Sequence, residues 1–144
     1  MQWTPGLDAG FSTAKTTWLP IPPSYKTINV ETELANSDSL LNWYKQLIAL
    51  RRTNATLHDG GFAMLDAGDK DVLAYVRTAP NGAAPVVVTI NMSAQAKTVS
   101  LDVSKFAKGK TAKTLAASES SLRGVTSVEK VVLPAYSAWV AEVR

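Results

Sequence analysis

Carboxylates working in pairs do acid–base chemistry; cleaving a glycosidic bond, for example, uses two of them about 5–10 Å apart, one with a raised pKa. The chain has twelve acidic residues. Most sit beside Gly, Ser or Lys in turn-like stretches (Asp59, Asp66, Asp69, Asp71) or on a polar strand face (Asp102, Glu129). Such solvated positions do not push a carboxyl pKa upward. None stands at the end of an apolar strand, where barrel enzymes keep their acids. The one histidine, His58, precedes Asp59-Gly60-Gly61 and reads as a residue of the link between a helix and a strand. A general base would need an orienting partner and a nucleophile, and no nucleophile motif is present. There is no G-x-S-x-G, no phosphate loop, no pair of histidine ligands and no cysteine. The expected catalytic residues, metal ligands and cofactors are therefore none.

Two residue sets bear on binding. Trp3, Phe11, Trp18 and Tyr25 are flat side chains on which sugar rings stack, so Trp3, Phe11 and Trp18 are the candidate substrate-binding residues. The commoner use of aromatics in an irregular segment is to anchor it by packing. Lys105, Lys108, Lys110 and Lys113 lie close together. Without interleaved Arg or aromatics they read as a solvated loop and a guarded strand edge; no nucleic-acid partner is expected. Asn54-Ala55-Thr56 and Asn91-Met92-Ser93 fit the glycosylation acceptor pattern, but Asn91 falls in a predicted strand.

The elements that would position these residues fall into three textures. Residues 1–36 form an irregular arm: Pro5, Gly6, Gly10, Pro20, Pro22 and Pro23 forbid a long helix or a central strand. The arm still holds Trp3, Phe11, Trp18, Leu19, Ile21, Tyr25, Ile28 and Val30, more apolar matter than a disordered linker carries. Residues 38–53 are the one clear helix, capped by Ser37 or Asp38, with Leu40, Leu41, Tyr44, Leu47, Ile48 and Arg51 on one stripe. From Gly60 the hydrophobic period becomes two. Strands are predicted over 62–65, 72–78, 86–92, 98–103, 111–117, 125–133 and 137–143, with Asn81-Gly82 as a hairpin signal. Val86-Val87-Val88 is apolar on both faces and belongs at the sheet centre. Seven short strands without intervening helices predict an antiparallel β-sandwich.

At 144 residues with 46% hydrophobic content and a net charge of +3, the chain suits one hydrophobic core. Residues 1–60 are neutral overall, so the excess charge lies further on. No apolar run is long enough to span a bilayer, and the first residues lack the basic and apolar regions of a signal peptide. No membrane partner is expected, and a cytoplasmic location is favoured.

Several stretches are similar to one family. Met1-Gln2-Trp3, Ala9-Gly10-Phe11-Ser12-Thr13, Trp18-Leu19-Pro20-Ile21-Pro22-Pro23 and Tyr25-Lys26-Thr27-Ile28-Asn29-Val30-Glu31 resemble the stretch after the catalytic motifs of oligo-1,6-glucosidases and related α-glucosidases. These belong to the α-amylase superfamily, glycoside hydrolase family 13. Asp38-Ser39-Leu40-Leu41-Asn42-Trp43-Tyr44-Lys45 with Leu47-Ile48-Ala49-Leu50-Arg51 resembles the last helix of that family's barrel. Leu73-Ala74-Tyr75-Val76-Arg77 and Leu133-Pro134-Ala135-Tyr136-Ser137-Ala138-Trp139-Val140 resemble strands of its carboxy-terminal β-domain. Thr4 departs from the family's usual Asp, and an extra residue sits near Thr16-Thr17.

The resemblance implies a mainly β chain: an antiparallel sandwich over 59–144, preceded at 1–58 by an arm (1–36) and one helix (38–53) from the end of a (β/α)8 barrel. It implies a non-catalytic carboxy-terminal fragment, because the family's aspartate nucleophile, glutamate acid/base and transition-state aspartate lie upstream. The expected partner is the catalytic barrel of an enzyme that hydrolyses α-glucosidic bonds with retention. In isolation the exposed arm and helix are expected to self-associate or swap. The alternatives are a stand-alone carbohydrate-binding module that takes oligosaccharide on Trp3, Phe11 or Trp18, and a parent of sibling specificity such as trehalose synthase or sucrose isomerase.

Overall fold

The computed structural model describes residues 1–79 and 82–144. Pro80 and Asn81, half of the expected hairpin signal, lie outside the described residues. Gly82 has φ 76°, the left-handed backbone that favours glycine. The chain forms two compact units, Met1–Leu47 and Ile48–Arg144.

The described residues of the second unit form seven strands: β1 (Gly61–Leu65), β2 (Val72–Thr78), β3 (Val86–Asn91), β4 (Lys97–Val99), β5 (Ala112–Ala117), β6 (Val131–Leu133) and β7 (Ala138–Val143). One sheet has the order β1-β2-β3-β7-β5; β4 and β6 form a second, two-stranded sheet. Every pairing is antiparallel. Alternation decides which side chains face the core. Val72, Ala74 and Val76 of β2 point inward, as do Trp139, Ala141 and Val143 of β7. They meet Val99, Leu101, Val103, Leu122, Val128, Val131 and Leu133 from the other layer. Trp139 is fully buried, and its Nε1 donates to Thr114 Oγ1 at 2.8 Å. As expected, β3 is central and apolar on both faces: Val86, Val87 and Val88 are all buried. The architecture is the antiparallel sandwich the sequence pattern predicts.

Two predicted strands are shorter than expected. Of the expected 98–103 the ladder ends at Val99; the Leu101 N–H still donates to the Val128 carbonyl at 2.9 Å, and Asp102 then accepts the Ser104 N–H at 3.0 Å and turns the chain away. Leu101 and Val103 stay buried, since alternation continues without a ladder. Over 125–133 only Val131–Leu133 is a strand, with one isolated bridge between Thr111 and Ser127 upstream.

The helices need more correction. Instead of one helix, the described residues hold three α-helices: α1 (Val30–Ala35), α2 (Leu40–Thr53) and α3 (Ala55–Asp59). In α1, inside the supposedly irregular arm, Asn29 Oδ1 accepts the Thr32 N–H at 2.9 Å and satisfies a free helix donor. The cap of α2 is Ser39, not Ser37 or Asp38: its Oγ accepts the Asn42 N–H at 3.2 Å. A new helix start at Asn54, whose side chain accepts the Leu57 N–H at 3.0 Å, puts His58 in α3 rather than in a linker. Among the described residues, no helix is long and apolar enough to cross a membrane.

Candidate functional site

In the first unit the backbone folds on itself through hydrogen bonds. Trp3 and Thr4 N–H groups both donate to the Ala9 carbonyl, at 2.8 and 3.1 Å. Val30 and Glu31 N–H groups donate to the carbonyls of Gln2 and Trp3, at 3.0 and 2.9 Å, and so tie α1 to the beginning of the arm. The loop between them closes through three successive left-handed residues, Asp8, Ala9 and Gly10, at φ 50, 52 and 72°. Such backbone costs a residue with a side chain about 1–2 kcal/mol. A Cβ on Gly10 would come within 2.6 Å of Thr4 Oγ1. Thr4 also accepts the Gly6 N–H at 3.3 Å, so the residue that departs from the family pattern fills the space under this loop.

A second polar cluster joins α1 to α2. The Glu33 carboxylate accepts the Leu41 N–H at 3.0 Å, at the positive end of α2. Ser39 Oγ and Asn42 Nδ2 both donate to the Glu33 carbonyl, at 2.7 and 2.9 Å. Only the backbone path brings Glu33 there; no local sequence signal marks it. Asn29 could have been found, because an Asx residue directly before an apolar one, with Glu31 and Glu33 in the turn that follows, is a helix-start signature.

These supports frame an apolar groove of about 780 Å³. Its walls include Phe11, Leu19, Ile21, Ile28, Leu40 and Tyr44. Five of the six are largely exposed: Phe11 53%, Leu19 61%, Ile28 56%, Leu40 65% and Tyr44 59%. No residue of α2 is buried. Of the three candidate sugar-stacking residues, only Phe11 lines the groove; Trp3 is half exposed and Trp18 is 94% exposed.

The titratable groups are arranged for structure. Asp69 and Asp71 flank Lys97 Nζ at 3.0 and 2.8 Å. The Asp71 N–H and then Lys97 hold the Asp69 carboxyl below its ordinary range, while the two carboxylates raise Lys97. Hydrogen bonds from the Ser104 hydroxyl and N–H lower Asp102. A general acid in sugar hydrolysis needs the opposite shift. His58 is exposed and paired with its neighbour Asp59. Among the described residues no group of three or more His, Cys, Asp or Glu side chains could hold a metal ion. Lys110 pairs with Glu129, which raises its pKa, and Lys108 and Lys110 line a cleft together with Asp66, Asp102 and Glu129. Asn91 is 1% exposed, with its amide donating to Gln95 and Pro134 carbonyls at 2.7 and 2.8 Å. That leaves no free amide for a glycan.

The model of the α-amylase catalytic domain matches residues 1–60. The chain is 42% identical over 103 residues to glucan 1,6-α-glucosidase of Streptococcus dysgalactiae subsp. equisimilis, covering 72% of this chain and 19% of that protein. The chain belongs to the α-amylase family. Another member, the trehalose synthase/amylase TreS of Mycobacterium tuberculosis, is 36% identical over 113 residues, 74% of this chain and 19% of the relative. Among solved structures of the family, isomaltulose synthase from Klebsiella sp. LX3 superposes with a TM-score of 0.85 at 29% identity, over 99% of this chain and 24% of its own. The chain thus spans about a fifth of the length of the curated relatives it matches.

Proposed function

We propose that this chain serves as the non-catalytic carboxy-terminal part of an α-glucosidase-type glycoside hydrolase, in which its arm and α2 complete and stabilise the catalytic barrel. The observation that carries the proposal is the uncovered groove. It lies within residues 1–60, the stretch that matches the catalytic-domain model. Fully burying a Leu, Ile or Phe side chain contributes about 1.5–3 kcal/mol, so several such residues left in water favour a covering surface. The lowered Asp69 and Asp102 support the view that the reacting carboxylates come from the barrel. There, one carboxylate would form the glycosyl-enzyme bond and a second would protonate the leaving oxygen, with overall retention. Names such as glucan 1,6-α-glucosidase support an α-glucoside as the parent's substrate.

The test mixes this chain with the barrel of the streptococcal relative truncated before the matching region. Glucosidase activity and a one-to-one complex are expected, both lost in Leu40→Asp and Tyr44→Asp. A barrel that is fully active alone and ignores the chain would overturn the proposal. The exposure of Trp18 and Phe11 supports a second reading, a carbohydrate-binding module. Isomalto-oligosaccharide titration detects it as binding lost in Trp18→Ala or Phe11→Ala.

A further inference from the structure

Strand β1 is one edge of the five-stranded sheet. Soluble proteins blunt such edges with lysine, proline, a bulge or a covering segment, because an open edge pairs with other strands. The other edge follows that rule: β5 carries Lys113, and its register breaks between Thr114 and Ala116. In β1 the residues are Gly61, Phe62, Ala63, Met64 and Leu65, in unbroken register with β2. Among the described residues, only one hydrogen bond outside that ladder reaches the β1 backbone, from Arg77 Nε to the Gly61 carbonyl at 3.1 Å. Ala63 and Leu65 pack on the core, whereas Phe62 and Met64, on the opposite face, are 61% and 58% exposed. The Tyr75 ring stands beside Phe62, with centroids 5.1 Å apart.

We infer that β1 pairs antiparallel with β1 of a second copy of this chain, joining two sheets into one across a two-fold axis at Ala63. In this register Phe62 lies opposite Met64 of the second copy, and Gly60 lies opposite its Asp66. One observation selects it: each exposed Phe62 gains a methionine sulfur, a favourable aromatic contact, twice by symmetry. The Arg77 guanidinium bonds the Gly60 and Gly61 carbonyls of its own chain, and the β1 residues themselves carry no charge to oppose the pairing. A slip of one residue turns the partner sheet over, core face outward. A slip of two brings Phe62 against Phe62 or Asp66 against Phe62 and loses both Phe62–Met64 contacts.

The experiment is sedimentation equilibrium of the full chain. A dimer is expected, and Met64→Lys should weaken it about tenfold or more, since two cross-strand pairs are lost and two lysines enter the edge. Tyr44→Ser, in the groove of the first unit, should leave the dimer unchanged; loss there would instead indicate association through the arm. Ala63→Cys, the only thiol in the chain, should form an intermolecular disulfide under mild oxidation even if Met64→Lys folds poorly. A monomeric parent chain, a dimer untouched by Met64→Lys, or no disulfide from Ala63→Cys overturns the inference. The groove variants that test docking on a barrel do not touch β1, so the two ideas fail independently.

Discussion

The two units bury their residues in opposite ways. In Ile48–Arg144 a contiguous core runs from Leu65 to Val143 and centres on Trp139. In Met1–Leu47 the buried residues are Ala9, Asn29 and Ser39, two of them polar, and the large side chains face outward. Hydrogen bonds shape the first unit and hydrophobic burial shapes the second. A hydrogen bond adds about 0.5–1.5 kcal/mol net, against roughly 1–2 kcal/mol to order each residue's backbone. A unit held by such bonds alone has little stability of its own.

The sharpest test removes the centre of the second core. Trp139→Ala should destabilise the β-unit by about 3–5 kcal/mol in denaturant titration, partly because Thr114 Oγ1 loses its donor. Tyr44→Ala, a residue of similar size in the groove, should stay within about 0.5 kcal/mol in the isolated chain. Equal effects would break the contrast. Next in size is Asn91→Ala. Its amide and carbonyl bind Gln95, Leu133, Pro134 and Ser93, so removing it orphans buried carbonyls and should cost about 1–3 kcal/mol on the same titration.

Asn29→Ala removes the α1 cap and should cost about 1 kcal/mol. Hydrogen exchange would show it as lost protection at Thr32 with no change at Val76. The smallest effect is electrostatic. Asp69 is lowered in the folded chain, so its contribution is complete above the unfolded carboxyl pKa, about 4, and is lost as pH falls through the lower folded value. Lys97→Met should partly flatten that acid limb in melting temperature measured against pH, the Asp71 N–H keeping the rest. Lys97 is raised, so its own contribution is lost only as pH rises through a value above the ordinary lysine range.

Much of the fold was legible because burial and alternation travel together. The strand at Val72–Thr78 is written as apolar positions two apart with one face buried, and Val86–Asn91 opens on a continuous apolar run, Val86-Val87-Val88, buried on both faces. Where the two separate, the pattern misleads. Leu101 and Val103 are buried beyond the end of the ladder, so alternation there marked the core and not the strand. Helix α1 hid behind nearby prolines, although Asn29 signalled its start. The stripe on α2 was plain in the sequence, but the Glu33 carboxylate that meets its first turn was not, because that contact crosses a loop.

The sequence by itself determined helix α2, most of the strands, the sandwich class and the family resemblance, since all rest on residue type at short, regular spacing. The tertiary structure decided what lies on which surface. It put Asn91 out of reach, placed Phe11 on the groove and Trp18 in solvent, and left the uncharged β1 at the edge of its sheet. The physical reason is range. Propensity and periodicity act over a few residues, whereas burial, edge position and the partners of a side chain depend on which distant segments pack against it.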